Sequence, residues 1–242
     1  MQSHAHQGST EGPPLLLKPD PAEILRFLNL VAEPGQIIEL RLLKVQTSRT
    51  QFPCTLSGYF SDYKKLAEAA SKSCALAQGT YITLNPVNPA LLARAVNRVR
   101  VAGKDCPLTS DADILKRRWL PIDVDPVRPS GISATEEEHA LALERAVQIR
   151  DVLQAAGWPN PIVGDSGNGG HLLYRIDLPA NDEGLVKKCL AALAFRFDDD
   201  RVQVDQAVFN PSRIWKLYGT ISRKGDSLPE RPHRLARIIE IP

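Results

Sequence analysis

The chain has 242 residues, of which 43% are hydrophobic and 24% charged, and its formal net charge is +2. These values are those of an ordinary globular protein with enough residues for a sizeable core, and the charge alone is too small to indicate a polyanion as partner. The sequence contains no apolar run of the length that a transmembrane helix needs, so we expect no membrane segment.

Residues 1–19 are polar, contain Pro and Gly, and have no apolar region of the kind found in a secretory signal. We interpret them as a disordered lead or a cloning remnant. His4 and His6 fall in this segment, and we assign them to the lead rather than to a metal site. The prediction therefore starts the folded protein at residue 20.

The four cysteines are widely spaced and include no CxxC pair. This spacing argues against a zinc ribbon and against a disulfide scaffold, so no zinc is expected. It favours reduced, mostly buried thiols in a cytoplasmic protein. The residues are Cys54, Cys74, Cys106 and Cys189.

Residues 20–110 are predicted to form an N-terminal α/β subdomain. PDPAEILRFLNLV predicts a helix that Asp20 caps and Pro21 begins. QIIELRLLKV and QFPCTLSGYF predict two strands, and SDYKKLAEAASKSCALA predicts a helix that Ser61 opens. YITLNPV predicts a strand that ends at Pro86, and PALLARAVNRVR predicts a further helix.

Residues 111–242 show a more regular order. RWLPIDVD predicts a strand, ATEEEHALALERAVQIRDVLQAAG a long helix ended by Gly157, and PIVGDS and GHLLYRIDL two strands. DEGLVKKCLAALAFRF predicts a helix, VQVDQAV a fourth strand and RLARIIEIP a last one. The order β-α-β-β-α-β is typical of a ferredoxin-like or RRM-like fold, with the first and third strands central and the fourth beside the first. We expect an α/β (α+β) protein: an RRM-like palm packed with the N-terminal subdomain.

Three carboxylates and a histidine are predicted to share one face of this palm. Side chains alternate along a strand, so Leu120, Ile122 and Val124 would face the helices while Asp123 and Asp125 face the other way. The same alternation puts Asp205 on the open face of the fourth strand and His171 on the open face of the third. Carboxylates this close repel one another unless a cation neutralises them, and hard oxygen ligands suit two Mg²⁺ or Mn²⁺ ions.

Basic residues follow the third aspartate. Eight Lys and Arg lie between residue 201 and the end of the chain, an excess that suits phosphates. Arg213 and Lys216 would share one face of a helical turn, from which they could reach a bound triphosphate. An amphipathic helix with its basic side in water is the alternative interpretation.

Several spaced segments resemble the archaeo-eukaryotic primase superfamily, in particular the primase-polymerase catalytic domains of phage, plasmid and CRISPR-associated proteins. The resemblance covers roughly residues 81–234 and rests on YITLNPV, WLPIDVDPVRPSGISATEEEH, GWPNPIVGDSGNGGHLLYRIDLP, VQVDQAVFNPSRIWKLYGT and RKG…RPHR. In that family an Asp-x-Asp motif and a later aspartate hold two divalent metals. Asp123, Asp125 and Asp205 match these positions.

The family's second motif is Ser-x-His, which contacts the phosphates of the incoming nucleotide. His171 matches the histidine, but Gly169 stands where the serine is expected. Either Ser166 takes the place of that serine through the turn, or the backbone amides of Gly169 and Gly170 do. The resemblance also assigns Arg213 and Lys216 to the triphosphate, and Asn85 to the wall of the pocket.

The resemblance implies a DNA primase-polymerase that joins nucleoside triphosphates to a 3′-hydroxyl on a single-stranded DNA template. Arg117, Arg118 and Trp215 are the candidates for contacting that template, with Trp119 as a further aromatic candidate. A helicase or another domain is a possible partner in a longer parent protein. Sequence does not distinguish ribonucleotides from deoxynucleotides as substrates.

Three alternatives use a similar sheet. A palm-type nucleotide cyclase also places carboxylates on it, but needs no template. A non-catalytic RRM-like module would need aromatic side chains on the face where Asp123, Asp125, His171 and Arg175 are predicted. A nicking replication initiator would need a His-hydrophobe-His pair, which occurs only within His4–His6.

The glycines of DSGNGGHLLY do not match a phosphate-binding loop. A P-loop requires a Gly-Lys-Ser/Thr end, and a dinucleotide-binding loop leads into a helix rather than a strand. We interpret Asn168-Gly169 as a tight hairpin turn with positive φ angles. This turn would set the register that places His171 on the open face.

Overall fold

The computed structural model describes residues 17–46 and 52–242 of the chain. Most of the predicted lead, including His4 and His6, lies outside the described residues. Within them the chain forms four α-helices and twelve strands, with short 3₁₀ turns between some of these. The helices are α1 (Pro21–Val31), α2 (Tyr63–Ser73), α3 (Glu136–Ala155) and α4 (Leu185–Phe197).

The strands of the first half are short except for the first two. They are β1 (Ile38–Val45), β2 (Cys54–Phe60), β3 (Gly79–Thr83) and β4 (Arg100–Val101). The strands of the second half begin with the longest one in the described chain. They are β5 (Lys116–Pro126), β6 (Ile162–Asp165), β7 (Gly170–Pro179), β8 (Val202–Val204), β9 (Ile214–Lys216), β10 (Ile221–Ser222), β11 (Arg234–Leu235) and β12 (Arg237–Glu240).

These strands form two five-stranded sheets and one two-stranded ribbon, all with antiparallel pairing. The first sheet has the order β4-β2-β1-β3-β9, and the second has the order β12-β6-β7-β5-β8. The chain is therefore a mixed α/β protein built on antiparallel sheets. In the second sheet β5 and β7 are adjacent and β8 lies beside β5, as the sequence predicts.

Each sheet takes in a strand from the C-terminal part of the chain. Strand β9 pairs with β3 in the first sheet, and β12 pairs with β6 in the second. The boundary predicted at residue 110 therefore does not separate the sheets, because residues 214–216 complete the N-terminal one.

Helix starts follow local capping chemistry. The Asp20 side chain accepts hydrogen bonds from the first-turn amides of α1, as predicted, whereas Asp62 rather than Ser61 caps α2. Thr135 and Glu138 form a capping box at the start of α3. The predicted helix at 89–100 is only a 3₁₀ turn over Pro89–Arg94, because the chain beyond it bonds to Tyr59 of β2.

Two large apolar clusters hold the sheets. One joins α3 and α4 to a face of the second sheet, and it includes Leu120, Ile122 and Leu172. The other joins α1, α2 and the first sheet to the opposite face, where Trp119 and Leu173 lie. The predicted open face is thus partly covered by the N-terminal region, and only a cleft between the sheets remains accessible beside it.

All four cysteines are free thiols, and Cys74 and Cys106 are buried. In the described ranges no helix has the length and apolar character needed to cross a membrane.

Candidate active site

A cleft of about 250 Å³ is lined by residues of both sheets. Eight of the residues predicted for the site line this cleft, although they are scattered between residues 123 and 216; seven of them were predicted to bind metal or nucleotide, and the eighth is Trp215. The seven are Asp123, Asp125, Ser166, His171, Asp205, Arg213 and Lys216. Asn85, Arg117 and Arg118 do not line it, and Trp215 lines it as a buried side chain.

The aspartates are positioned by β5 and its neighbours. Asp123 and Asp125 point away from the helices because Ile122 and Val124 pack into the helix-side cluster. Asp205 lies one residue beyond β8, where its backbone N–H bonds Asp123 O at 2.8 Å. This corrects the predicted strand over VQVDQAV: it ends at Val204, and Asp205 caps a 3₁₀ turn with its Oδ1 on Ala207 N at 2.8 Å.

The two β5 carboxylates have unlike environments. Burial tends to raise the pKa of Asp123, yet its pKa lies below the usual value because His171, Lys224 and Arg128 outweigh burial. Burial and the negative charge of Asp123 raise the pKa of Asp125, although Arg128 Nη1 lies 3.3 Å from its Oδ1. The pair therefore concentrates negative charge that the surrounding cations only partly offset.

His171 lies directly opposite Asp123 in the pairing of β5 with β7. Its Nε2 is 3.3 Å from Asp123 Oδ1, and its Nδ1 is 3.0 Å from the hydroxyl of Tyr218. The imidazole ring also lies against the Trp215 ring, with 4.0 Å between centroids. The imidazole therefore has Asp123 at one nitrogen, Tyr218 at the other and Trp215 against one face. It lies on the face of the sheet that the predicted register gives it.

The turn before His171 is built differently from the prediction. It spans the four residues 166–169, and the residue with positive φ is Gly167 rather than Asn168 or Gly169. Ser166 Oγ accepts hydrogen bonds from the amides of Asn168 and Gly169 at 3.2 and 2.9 Å. The two predicted substitutes for the missing serine are therefore hydrogen-bonded to each other through the Gly169 amide and Ser166 Oγ. Of the two residues, Ser166 lines the cleft.

Gly169 has no room for a side chain. A Cβ atom at this position would lie 2.2 Å from Val124 O of the neighbouring strand, far inside van der Waals contact. A serine at 169 would therefore require the turn to move away from β5. This close approach explains why the residue expected to be serine is glycine in this chain.

Arg213 and Lys216 line the cleft, but they are not on a helix. Residues 214–216 form β9, in which Lys216 pairs with Tyr81 of β3. The Arg213 side chain donates to Asn210 Oδ1 at 2.9 Å and to Ala207 O. Lys216 is buried, and its Nζ donates to Ile221 O at 2.9 Å.

Burial has a large effect on Lys216. It lowers the pKa of the amine to about 7, and the nearby positive charge of Lys224 adds to this effect. The amine also lies 5.7 Å from the centre of the Tyr81 ring. A protonated amine at this position would gain from an anion in the cleft, because little else compensates its charge.

Asn85 does not lie in the cleft wall. Its Nδ2 donates to Pro211 O at 2.8 Å, and its Oδ1 accepts from the backbone N–H of Arg118 at 2.8 Å. Asn85 therefore joins three chain segments at the base of β5. The prediction that it lines a nucleotide pocket is corrected to this structural role.

The predicted template contacts are also placed elsewhere. Arg117 is buried and bonds Ala180 O, Phe209 O and the carboxylate of Asp182. Arg118 makes ion pairs with Glu33 and Asp177. Trp215 is 2% exposed, and Trp119 donates its ring N–H to Val31 O. In this structure neither tryptophan presents a face on which a base could stack.

Three residues of the cleft region were not assigned an individual role in the site by the sequence-based prediction. Tyr81 and Lys224 line the cleft, and Arg128 lies beside Asp125. The pKa of Tyr81 is raised to about 12 by burial and by the charges of Asp123 and Asp125. Lys224 lies in the segment RKG. Two adjacent basic residues there could have indicated Lys224 as a cleft residue from the sequence alone.

The carboxylates of the cleft are the candidate ligands for a divalent cation. Among residues 17–46 and 52–242, no three His, Cys, Asp or Glu side chains are gathered closely enough to hold a metal ion. However, Asp123 Oδ1 is buried and accepts no hydrogen bond from the described residues. An unsatisfied carboxylate oxygen beside a second carboxylate is the chemistry that a hard cation relieves. Asp123 and Asp125 thus supply hard oxygen donors of the kind that Mg²⁺ or Mn²⁺ prefers, although the described side chains are not gathered as a metal site.

A scan of the chain against models of protein families found no match, and searches among curated proteins and among solved structures found none either. The functional argument therefore depends on the geometry of the cleft.

Proposed function

We propose that the protein is the catalytic domain of a DNA primase-polymerase of the archaeo-eukaryotic primase type. The observation that supports this best is one cleft lined by three aspartates, a histidine, a serine and two basic side chains. Carboxylates for cations and basic groups for phosphates, side by side, suit the transfer of a nucleotidyl group. On this proposal the protein synthesises and extends primers from nucleoside triphosphates.

The finer fold assignment belongs to the same proposal. The strand order β6-β7-β5-β8, with α3 and α4 on one face, supports an RRM-like palm. The N-terminal sheet would then form the second wall of the cleft. Free, largely buried thiols favour a cytoplasmic protein.

Asp123, Asp125 and Asp205 would hold two divalent cations. Such ions lower the pKa of an attacking 3′-hydroxyl and stabilise negative charge on the leaving pyrophosphate. The residues around them bind and orient the nucleotide. His171 and Ser166 face its phosphates from the turn before β7, and Arg213 and Lys216 do so from β9. Each is already on the wall of the cleft, so little reorganisation is needed on binding.

Single-stranded template would follow a basic groove rather than Arg117 and Trp215. Two further depressions adjoin the cleft, and both include Lys44 and Gln78 in their walls. One is also lined by Arg128 and Lys224, and the other by Arg223. Positive side chains along a groove that leads to the carboxylates suit a phosphate backbone.

The proposal is tested by primer synthesis and extension on single-stranded DNA with ribo- or deoxynucleoside triphosphates and Mg²⁺ or Mn²⁺. The Asp123→Ala/Asp125→Ala double variant should lose at least about a thousandfold in rate, because both strand carboxylates are removed. Asp177→Ala is the matched control, since Asp177 is an exposed carboxylate at the far end of the same sheet. It should retain the wild-type rate.

Three outcomes would contradict the proposal. Equal product from the wild type and the double variant would show that the cleft carboxylates do not catalyse the reaction. Cyclic nucleotide formed from ATP without any template would identify a cyclase instead. Template binding without synthesis under all metal conditions would indicate a non-catalytic nucleic-acid module.

A further inference from the structure

The hydroxyl of Tyr218 lies behind His171, on the side of the ring away from Asp123. Tyr218 is fully buried, and its hydroxyl lies 3.0 Å from His171 Nδ1 and 3.3 Å from Trp215 Nε1. The phenol does not line the cleft. Its effect on the cleft therefore passes through the two cleft-lining side chains that it contacts, His171 and Trp215.

When the imidazole is neutral, the hydrogen bonds around this phenol leave one arrangement of protons in which every donor has an acceptor. The indole Nε1 of Trp215 can only donate, so the Tyr218 oxygen accepts from it. The hydrogen of the phenol then needs an acceptor, and His171 Nδ1 is the acceptor within hydrogen-bonding distance in the described structure. A neutral imidazole that accepts at Nδ1 carries its hydrogen on Nε2.

We propose that Tyr218 is a positioning residue that holds His171 as the Nε2–H tautomer, with Nε2 on the side of the ring that faces Asp123 and the cleft. One further observation agrees with this assignment. His171 Nε2 lies 3.3 Å from Asp123 Oδ1, so an N–H at Nε2 faces a carboxylate, whereas a lone pair there would repel it, although the pair lacks hydrogen-bond geometry. The Trp215 ring lies against the imidazole, with 4.0 Å between the centroids.

Gly164 provides the space that the phenol occupies. It lies opposite His171 in the pairing of β6 with β7. A Cβ atom added there would lie 2.1 Å from the Tyr218 oxygen and 2.3 Å from the adjacent ring carbon. The side chain of Tyr218 thus reaches His171 only because residue 164 has none, and the contact is built into the sheet.

This inference rests on the proposed function for its consequence, though not for its geometry. If nucleotide phosphates enter the cleft, the fixed Nε2–H is a donor already aimed at them. A Nδ1–H tautomer would instead present a lone pair to the phosphates and to Asp123, which is repulsive. Tyr218 would therefore affect nucleotide binding without contacting the nucleotide.

The test is the ¹⁵N spectrum of the His171 ring in the metal-free and nucleotide-free protein, at about pH 8, where free imidazole is neutral. Wild-type protein should show a protonated Nε2 and an unprotonated, hydrogen-bonded Nδ1. Tyr218→Phe removes the donor and keeps the ring, so both tautomers should become populated. Tyr174→Phe is the matched control, because the Tyr174 hydroxyl is buried on the other face of β7 without a partner. It should leave the His171 signals unchanged.

Catalytic measurements separate positioning from general structural support. Tyr218→Phe should raise the nucleotide KM about fivefold, the effect of one misdirected hydrogen bond, with kcat and template affinity within about twofold of wild type. A uniform loss in all three would indicate a structural role only and would overturn the proposal. So would a wild-type His171 protonated on Nδ1, or tautomers that are the same in wild type and Tyr218→Phe.

A second measurement covers poor folding of Tyr218→Phe. The wild-type ¹⁵N spectrum decides the assignment without any variant, because the hydrogen bond between the Tyr218 hydroxyl and Nδ1 requires an unprotonated Nδ1. A wild-type Nδ1 that carries a hydrogen would contradict the proton arrangement. If the wild type makes no product with nucleotides and template, the proposed function fails, while the ¹⁵N spectra still decide the tautomer.

Discussion

Charged residues at the two ends of strand β5 differ in how many hydrogen-bond partners they have. At one end the guanidinium of Arg117 is buried and donates to two carbonyls and to the Asp182 carboxylate. At the other end the Asp123 side chain is partly exposed to the cleft, and its buried Oδ1 has only the imidazole of His171 nearby, at 3.3 Å and without hydrogen-bond geometry. The Arg117 charge is therefore compensated by the fold, whereas the Asp123 charge is compensated only in part.

The number of hydrogen-bond partners distinguishes a charged side chain that stabilises the fold from one that is free to bind a ligand, and residue type alone does not. In the sequence, the basic cluster Lys116-Arg117-Arg118 suggests nucleic acid as strongly as Asp-x-Asp suggests metal. The structure separates Arg117 from Asp123 by their partners: the buried guanidinium donates to three acceptors, whereas the buried Asp123 Oδ1 accepts no hydrogen bond in the described residues, which costs free energy. The predictions below test that distinction, beginning with the largest expected effect.

Arg117→Ala should lower the free energy of unfolding by about 3–5 kcal/mol, since it leaves the buried Asp182 carboxylate and two carbonyls without their donor. Urea denaturation measures this. Arg201→Ala is the matched control, because Arg201 is an exposed arginine in a surface ion pair, and it should cost less than about 1 kcal/mol. If Arg117→Ala were as stable as Arg201→Ala, the number of hydrogen-bond partners would not identify the charged residues that stabilise the fold.

Lys216→Met should produce a pH-dependent gain in stability. The folded chain holds the Lys216 pKa at about 7, below the ordinary value of 10.5, so the unfolded chain binds the additional proton between these pH values. Stability of the wild type relative to the variant is therefore lowest below pH 7 and rises with pH. Between pH 7 and pH 9 the rise should be about 2 kcal/mol.

Thermal or urea unfolding at several pH values checks this prediction. Lys188→Met, at an exposed position on α4, should leave the pH profile unchanged. A profile for Lys216→Met that is parallel to wild type would mean that the buried amine stays protonated throughout. Lys216 would then be, like Arg117, a buried cation whose charge the fold compensates.

Asp125→Asn should raise the free energy of unfolding at pH 7 by about 0.5–1 kcal/mol, a gain kept small by the partial exposure of the side chain. Its pKa is raised in the folded protein, so the ionised form is destabilising above that pKa and the penalty disappears as pH falls through it. Asp177→Asn removes a carboxylate that Lys116 and Arg118 stabilise, so it should give no gain. Loss of stability in Asp125→Asn would mean that Arg128 already satisfies this residue.

Features fixed by local alternation were predictable from the sequence. The period of two along β5 and β7 placed Asp123, Asp125 and His171 on the face opposite Ile122 and Leu172, and the structure agrees. The cap at Asp20 needed only the neighbouring residues. These assignments depend on steric rules that act within a few residues of chain.

Features fixed by distant segments were not predictable. Residues 213–216 suit a helical turn by spacing, but they pair with β3, which is remote in sequence. Local spacing carries no information about that partner. Likewise, the local sequence suggests that Arg117 is a surface residue, whereas in the fold its guanidinium is bonded to Ala180, Phe209 and Asp182. The template prediction failed there for the same reason.

The pairing of β9 with β3 and of β12 with β6 has a consequence for synthesis on the ribosome. Neither sheet is complete until the last part of the described chain has emerged, because each waits for a strand from residues 214–240. The cleft wall formed by Arg213 and Lys216 is missing until then. A nascent chain stalled before residue 213 would hold Asp123, Asp125 and Asp205 without the Arg213 and Lys216 side chains that line the cleft beside them.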